Sequence, residues 1–290
     1  MAGGRSAAIV TPSYAGDFDR CRLLCESMDR FVTGYDRHYL LVAGHDVRRF
    51  RAFESERRVV VDERDLLPPW LHAVRDPTVL FKRHIWLSTR LAPLRGWHVQ
   101  QLRRIAFAEK AEHEVLVYCD SDVVFLKPFD CSTFWRGEQV RLYRRDGGMN
   151  ALVDLGHRQW SANAGQALGL PAGQKTEHDY ITTLISWRRD SVVSMLRHIE
   201  TLHDKPWIRA VAADRRFSEC ILYGRYVDEV LAGSGHFHDD RALCHVLWFG
   251  RELDTGGLED LVAEMKSYQV AIGIQSFIET DLEPLRRMIG

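Results

Sequence analysis

Val115-Leu116-Val117-Tyr118-Cys119-Asp120-Ser121-Asp122-Val123-Val124-Phe125-Leu126 sets two carboxylates between two apolar runs of strand-forming composition. On an extended backbone residues i and i+2 share a side, so Asp120 and Asp122 are expected to point together. Like charges converging at the end of a buried strand repel each other, and desolvation makes both costly. A bound divalent cation removes that conflict, and the stretch reads first as a metal site on an α/β sheet. A charged turn joining two strands is the plainer alternative. The same pattern recurs in Asp17-Phe18-Asp19, a polar segment with no apolar run before it. Context therefore singles out the Asp120 copy: a strand before it, an apolar run after it, then Lys127-Pro128-Phe129.

Working outward, residues 7–10 read as a first buried strand, closed by Thr11-Pro12-Ser13-Tyr14 and Gly16. Asp17 or Asp19 caps a helix whose apolar positions are Leu23, Leu24, Met28 and Phe31. Residues 38–43 form a second strand. Residues 48–56 make a short charged helix, and 59–61 a third strand ending at Asp62. Residues 67–95, with prolines at 68, 69, 77 and 93, are predicted to be irregular. A helix follows over about 96–112, with Val99, Leu102, Ile105 and Ala106 on its apolar face and Gln101, Arg104 and Ala108 beside it. Further on, strands are expected at 140–143 and 180–187 and helices at 163–168 and 191–201. A last helix starts at Ser218-Glu219, with Ser218 as N-cap. The alternation predicts an α/β fold of Rossmann type, with a mostly parallel central sheet flanked by helices. One domain is expected over residues 1–290, about 1–130 taking a nucleotide-like ligand and about 131–290 shaping an acceptor pocket.

Hydrophobic residues make up 46% and charged residues 27% of 290, and the net charge is −1, so no global field selects nucleic acid or an acidic membrane. The basic clusters at 48–51 and 141–145 read as solvated faces. Six cysteines include no Cys-x-x-Cys pair, which argues against a zinc ribbon or a redox motif and leaves Cys21 and Cys25 as buried thiols. Residues 7–10 are too short for a signal-peptide core, and no apolar run reaches the length of a membrane span. A reduced, cytoplasmic protein is expected.

Mg²⁺ or Mn²⁺ prefers oxygen ligands, and Mg²⁺ takes one or two carboxylates plus substrate phosphates. In open α/β sheets ligands bind beyond the carboxyl ends of the strands, where residues 11–17, Asp62 and Asp120 fall together. Arg104 offers a fixed positive charge, or else is a surface arginine. The chain has no Gly-x-x-x-x-Gly-Lys-Ser/Thr and no convincing Gly-x-Gly-x-x-Gly. His236 and His238, followed by Asp239 and Asp240, lack a second ligand pair at zinc spacing. His245 lies among apolar residues, as a core histidine or as the completion of a metal shell with Asp122. Glu219, in a first helical turn, is kept ionised by the helix dipole; it is a candidate general base or simply a helix-stabilising glutamate.

Asp120-Ser121-Asp122 after an apolar strand, with Thr11-Pro12-Ser13-Tyr14 after the first strand, resembles the GT-A class of nucleotide-sugar glycosyltransferases. More narrowly, Gly96-Trp97-His98-Val99-Gln100-Gln101-Leu102-Arg103-Arg104 and Phe217-Ser218-Glu219-Cys220-Ile221-Leu222-Tyr223-Gly224-Arg225-Tyr226 resemble the bacterial DUF6492 family, over about residues 9–276. By that resemblance Thr11, Pro12, Ser13 and Tyr14 would hold the nucleoside and Asp62 would recognise the base. Gln101, Arg104, Asp120 and Ser121 would complete the nucleotide-sugar pocket. Asp120 and Asp122 would bind ribose and Mn²⁺ or Mg²⁺, with His245 as a further metal ligand, and Glu219 would be the base of an inverting transfer. The family often carries Lys at the Arg104 position and an aromatic residue at the Cys220 position. The implied reaction moves a sugar, as a hexosyl group, from a nucleoside diphosphate donor such as a UDP-sugar to an acceptor hydroxyl on a glycan, lipid, natural product or nucleobase. Trp97, Trp160, Trp187, Trp207 and Trp248 are candidates to stack on a sugar, though core packing is the commoner use of Trp. A haloacid-dehalogenase-like phosphatase, a nucleotidyltransferase and a non-catalytic nucleotide-sugar-binding protein are the competing readings.

Overall fold

The computed structural model describes residues 5–151, 156–250 and 252–290; the amino-terminal residues 1–4, expected to carry no leader, lie outside them. Five strands form the central sheet, in the order Ile185–Arg188, Val115–Tyr118, Ala7–Pro12, Arg37–Val42, Arg58–Asp62. Ile185–Arg188 runs antiparallel to its neighbour, and the other pairings are parallel. The α/β architecture expected from the alternation of strand and helix is the one observed.

Every residue of Ala7–Pro12 and Val115–Tyr118 is buried, as parallel strands covered on both faces must be. The two-residue period sorts their side chains. Ala8, Val10, Leu116 and Tyr118 face a core built with Leu102 and Ile105 of helix Gly96–Lys110 and Val192, Leu196 and Ile199 of helix Arg189–His203. Ala7, Ile9, Val115 and Val117 face the other way, onto Leu24 and Met28 of helix Phe18–Phe31. Burying each of these Leu or Ile side chains contributes about 1.5–3 kcal/mol.

Several boundaries differ from expectation. Residues 67–95 are ordered: His72–Arg75, His84–Leu87 and Leu94–Arg95 form an antiparallel meander with His72 opposite Leu87 and Arg75 opposite His84. The prolines that read as breaks sit outside its strands, Pro77 in the turn Pro77–Val79. The helix expected at 163–168 is the end of a longer one, His157–Ala167. The strand expected at 180–187 is shortened to Ile185–Arg188, because Leu184 takes a left-handed backbone (φ 57°) that no strand continues through. Cys21 and Cys25 are buried free thiols, as expected.

The two halves of the chain interlace. Val123–Phe125 pairs antiparallel with Ala271–Ile274, which pairs in parallel with Cys244–Leu247. This small sheet abuts the carboxyl edge of the central one, where Ile274 N–H donates to the Asp122 carbonyl at 3.1 Å. Among the described residues no helix is long and apolar enough to cross a membrane.

Candidate functional site

The parallel strands deliver Tyr14, Asp62 and Asp120 to one sheet edge. Asp120 and Asp122 do not continue the strand, as the extended-backbone reading expected. Val115–Tyr118 ends two residues earlier, and Ser121 and Asp122 lie in a turn that reverses the chain into Val123–Phe125. The turn is pinned by Asp120 N–H donating to Thr183 Oγ1 (3.1 Å) and by Ser121 Oγ–H donating to an Asp17 carboxylate oxygen (3.3 Å).

Asp17, from the motif that looked like a chance recurrence, therefore joins the site. Burial, reinforced by Asp120, pushes its carboxyl up to about 6, against Ser121 and Arg20, which favour its ionised form. Burial, then Asp120 and Asp17, pushes Asp122 up to about 8. Arg20 tempers both while its guanidinium is held by the carbonyls of Ile274 (3.0 Å) and Ile278 (2.7 Å).

Helix Gly96–Lys110 supplies the counter-charge. Arg104 is buried and bridges two carboxylates: Nη2 donates to Asp120 Oδ1, and Nη1 donates to Glu219 Oε1 at 2.6 Å. Burial disfavours its charge, but Asp120 and Glu219 outweigh that and raise its pKa. Its Nε is buried without a hydrogen-bond partner. One turn earlier, Gln101 Oε1 accepts the Glu219 backbone N–H at 3.0 Å, and Gln100 Nε2 donates to Asp120 Oδ1 at 3.4 Å. Glu219 opens the helix Glu219–Arg225, whose N-cap Ser218 accepts from Ile221 N–H as the sequence predicts. The i, i+3 spacing of Gln101 and Arg104 is what puts both on the face turned toward Glu219.

Around this centre the other expected residues divide. Tyr14 is 52% exposed at the mouth of the site. Its ring lies over Gly16, where a Cβ would fall 2.4 Å from Tyr14 Cε2, so any side chain there would displace the ring. Ser13 is buried, with its hydroxyl set against the Cys21 thiol. Asp62 stands at the same edge, two strands away from Ala7–Pro12, and is gripped by the exposed Arg64, which accounts for its lowered pKa despite partial burial. Thr11 is not brought to the site. Its hydroxyl is turned into the core, 3.0 Å from His38 Nε2. Because Arg58 Nε–H donates to His38 Nδ1 (2.9 Å), Nε2 carries the proton and donates to Thr11.

His245 does not meet Asp122 either. From strand Cys244–Leu247 its imidazole reaches Glu264 instead, at 3.4 Å. His236 and His238 are structural: His236 bonds Tyr223 and Ser234 (both 2.8 Å), and His238 pairs with Asp228 (2.7 Å). Trp187 and Trp207 are core residues, whereas exposed Trp97 leans on Trp160 (5.5 Å between rings) one turn before Gln101. Gln100 and Thr183 were not assigned a role from the sequence, whereas Asp17 lies in the segment 11–17 expected at the strand ends but was read there as a helix cap.

Among the described residues no three His, Cys, Asp or Glu side chains form a ready-made metal cage. The repulsion from Asp120 and Asp17 that helps to raise Asp122 is of the kind a divalent ion relieves, and carboxylate oxygens are the donors a hard cation takes.

These shifts have a stability consequence. A carboxyl raised in the folded state holds its proton more tightly there than in the unfolded chain. Its stabilisation is complete below the ordinary value of 3.8 and is lost as pH rises toward about 6 for Asp17 and about 8 for Asp122. Asp122→Asn is thus expected to melt with the wild type at pH 4 and a few degrees above it at pH 9. Melting temperatures across that range decide the matter; a difference that does not vary with pH would exclude the strained carboxylate.

The family described as "Family of unknown function (DUF6492)" matches residues 7–287. No curated protein matches the chain.

Proposed function

The chain belongs to the DUF6492 family, and from that premise we propose that it is a glycosyltransferase taking a nucleoside diphosphate sugar, a UDP-sugar in the first instance. The observation that carries the reading is the Asp120–Arg104–Glu219 bridge, which puts one member of the Asp120/Asp122 pair and a candidate base on one guanidinium at the carboxyl edge of a mostly parallel sheet. The half-exposed Tyr14 ring offers the base a stacking face. Asp62 stands further along the same edge for the base. Asp122, with Asp120, would hold Mn²⁺ or Mg²⁺, whose chemistry is to neutralise charge developing on the leaving diphosphate.

Glu219 takes the proton from an acceptor hydroxyl as its oxygen bonds the anomeric carbon. The bond from that carbon to the diphosphate breaks, and the diphosphate leaves with the electron pair. The salt bridge to Arg104 fixes the Glu219 carboxylate in place at this edge. Trp97 and Trp160 flank this end and suit a sugar-bearing acceptor.

The test is a UDP-sugar panel assayed for nucleoside diphosphate release with Mn²⁺, with chelator, and with Asp122→Asn. We expect release that chelator and the substitution both abolish. Inorganic phosphate or pyrophosphate as the product would transfer the site to a phosphatase or a nucleotidyltransferase. Binding without release under every acceptor would leave a non-catalytic nucleotide-sugar-binding protein.

A further inference from the structure

The meander that sequence reading left irregular carries a feature the proposed reaction does not use. Between His72–Arg75 and His84–Leu87 the chain turns through Val79, Leu80 and Phe81, and Leu80 and Phe81 are 79% and 56% exposed. Both hold left-handed backbones, φ 53° and 61°, which bulky residues rarely adopt. The tip is built to hold them there. Phe81 N–H donates to the Asp76 carbonyl (2.9 Å), Arg75 Nη1 donates to the Phe81 carbonyl (3.1 Å), and Asp76 accepts from both Thr78 N–H (2.9 Å) and Thr78 Oγ1–H (2.6 Å). Apolar side chains are thus fixed outward rather than folded onto the core.

Charge says what they meet. Arg75, Lys82 and Arg83 surround the tip and are exposed, and Arg90 and Arg95 follow within the same meander. The one carboxylate between residues 72 and 95 is Asp76, buried and occupied by Thr78. In a chain of net charge −1 this is a local basic surplus around an apolar point. Apolar residues that enter the headgroup layer, ringed by Lys and Arg that attract anionic headgroups, form the pattern of interfacial membrane binding.

We propose that this hairpin docks the protein on an anionic phospholipid surface. The meander stands beside the catalytic edge: His84 stacks on His45, just beyond strand Arg37–Val42, with rings 3.8 Å apart. Exposed Phe277 and Trp248 follow the strands Ala271–Ile274 and Cys244–Leu247, whose ends adjoin Asp122. Docking through the tip turns the mouth of the site toward the bilayer. Resting on the glycosyltransferase reading, it narrows the acceptor to a hydroxyl carried at a lipid surface.

Flotation of the full chain, without donor, on phosphatidylcholine vesicles and on mixed phosphatidylcholine–phosphatidylglycerol vesicles tests the docking alone. We expect binding to the mixed vesicles, weakened by salt and at least about tenfold weaker without phosphatidylglycerol. Lys82→Glu/Arg83→Glu should weaken it by about thirtyfold or more. Leu80→Asn/Phe81→Asn, chosen because Asn tolerates a left-handed backbone, should weaken it by about tenfold with the melting temperature unchanged. Equal binding to both vesicle types, no binding at all, or tip variants that bind like the wild type would overturn the proposal. So would a tip variant that dissolves a dimer in light scattering without changing flotation, which would make the tip a self-association surface. Failure here leaves nucleoside diphosphate release untouched, and absence of release leaves flotation untouched.

Discussion

Arg104→Met is expected to lower the stability of the protein by about 3–5 kcal/mol, the largest effect of any single substitution at the site. The guanidinium is buried between Asp120 and Glu219, and both carboxylates depend on it. Methionine fills much of the volume but leaves two partly or fully buried charges uncompensated, beside Asp122 and Asp17, which already repel Asp120. Removing one member of a buried ion pair costs far more than the pair contributed, because the survivor keeps its desolvation penalty. Urea unfolding measures the change. A control isolates the electrostatics: in a Glu219→Gln background the cost of Arg104→Met should shrink by more than about 1 kcal/mol, since one orphaned charge has gone. Arg104→Lys keeps the charge but gives up the planar fork that reaches both partners, so it should fall between wild type and Met. A loss below about 1 kcal/mol for Arg104→Met would mean that the bridge is not a structural element of the fold.

The second large effect concerns chemistry. Glu219→Gln should reduce sugar transfer by about 10²–10⁴-fold while donor affinity stays within about threefold. Glutamine is isosteric, and its carbonyl still accepts from Arg104, so the pocket persists while the base is lost. The split between turnover and binding matters, because a merely structural Glu219 would weaken both together. Transfer within about tenfold of wild type would remove Glu219 from the mechanism. The backbone N–H of residue 219, donated to Gln101, is unaffected by the change, so it does not disturb the helix start.

Strand–helix alternation was legible because it is a local property. Continuous apolar runs at 7–10 and 115–118 are strands covered on both faces, and the 3.6-residue period of Val99, Leu102, Ile105 and Ala106 is a helix facing a core. Ser218 was legible as a cap for the same reason, since its partner lies three residues away. The meander at 72–95 was not, because antiparallel pairing joins residues such as His72 and Leu87 and prolines at its turns imitate loop. At the site, Asp120 and Asp122 were found by context, yet their geometry was misread: the strand stops at Tyr118 and the pair occupies the turn that follows.

What the sequence determined by itself was the class of fold, the place of the carboxylate pair after a strand, the Ser218 cap and the apolar faces of its helices. Each of these depends on residues within a turn or two of one another. The cap expected from Asp17 or Asp19 is not made, Asp17 accepting from Ser121 instead. Only the tertiary structure decided which polar groups meet. Arg104 reaches Glu219 across 115 positions and Ser121 reaches Asp17 across 104. Thr11 turns to His38 and His245 to Glu264, partners that are fixed only once neighbouring elements have packed. Charge placement is thus a product of packing: three segments with no local reason to attract are buried together, and one guanidinium offsets the repulsion they bring.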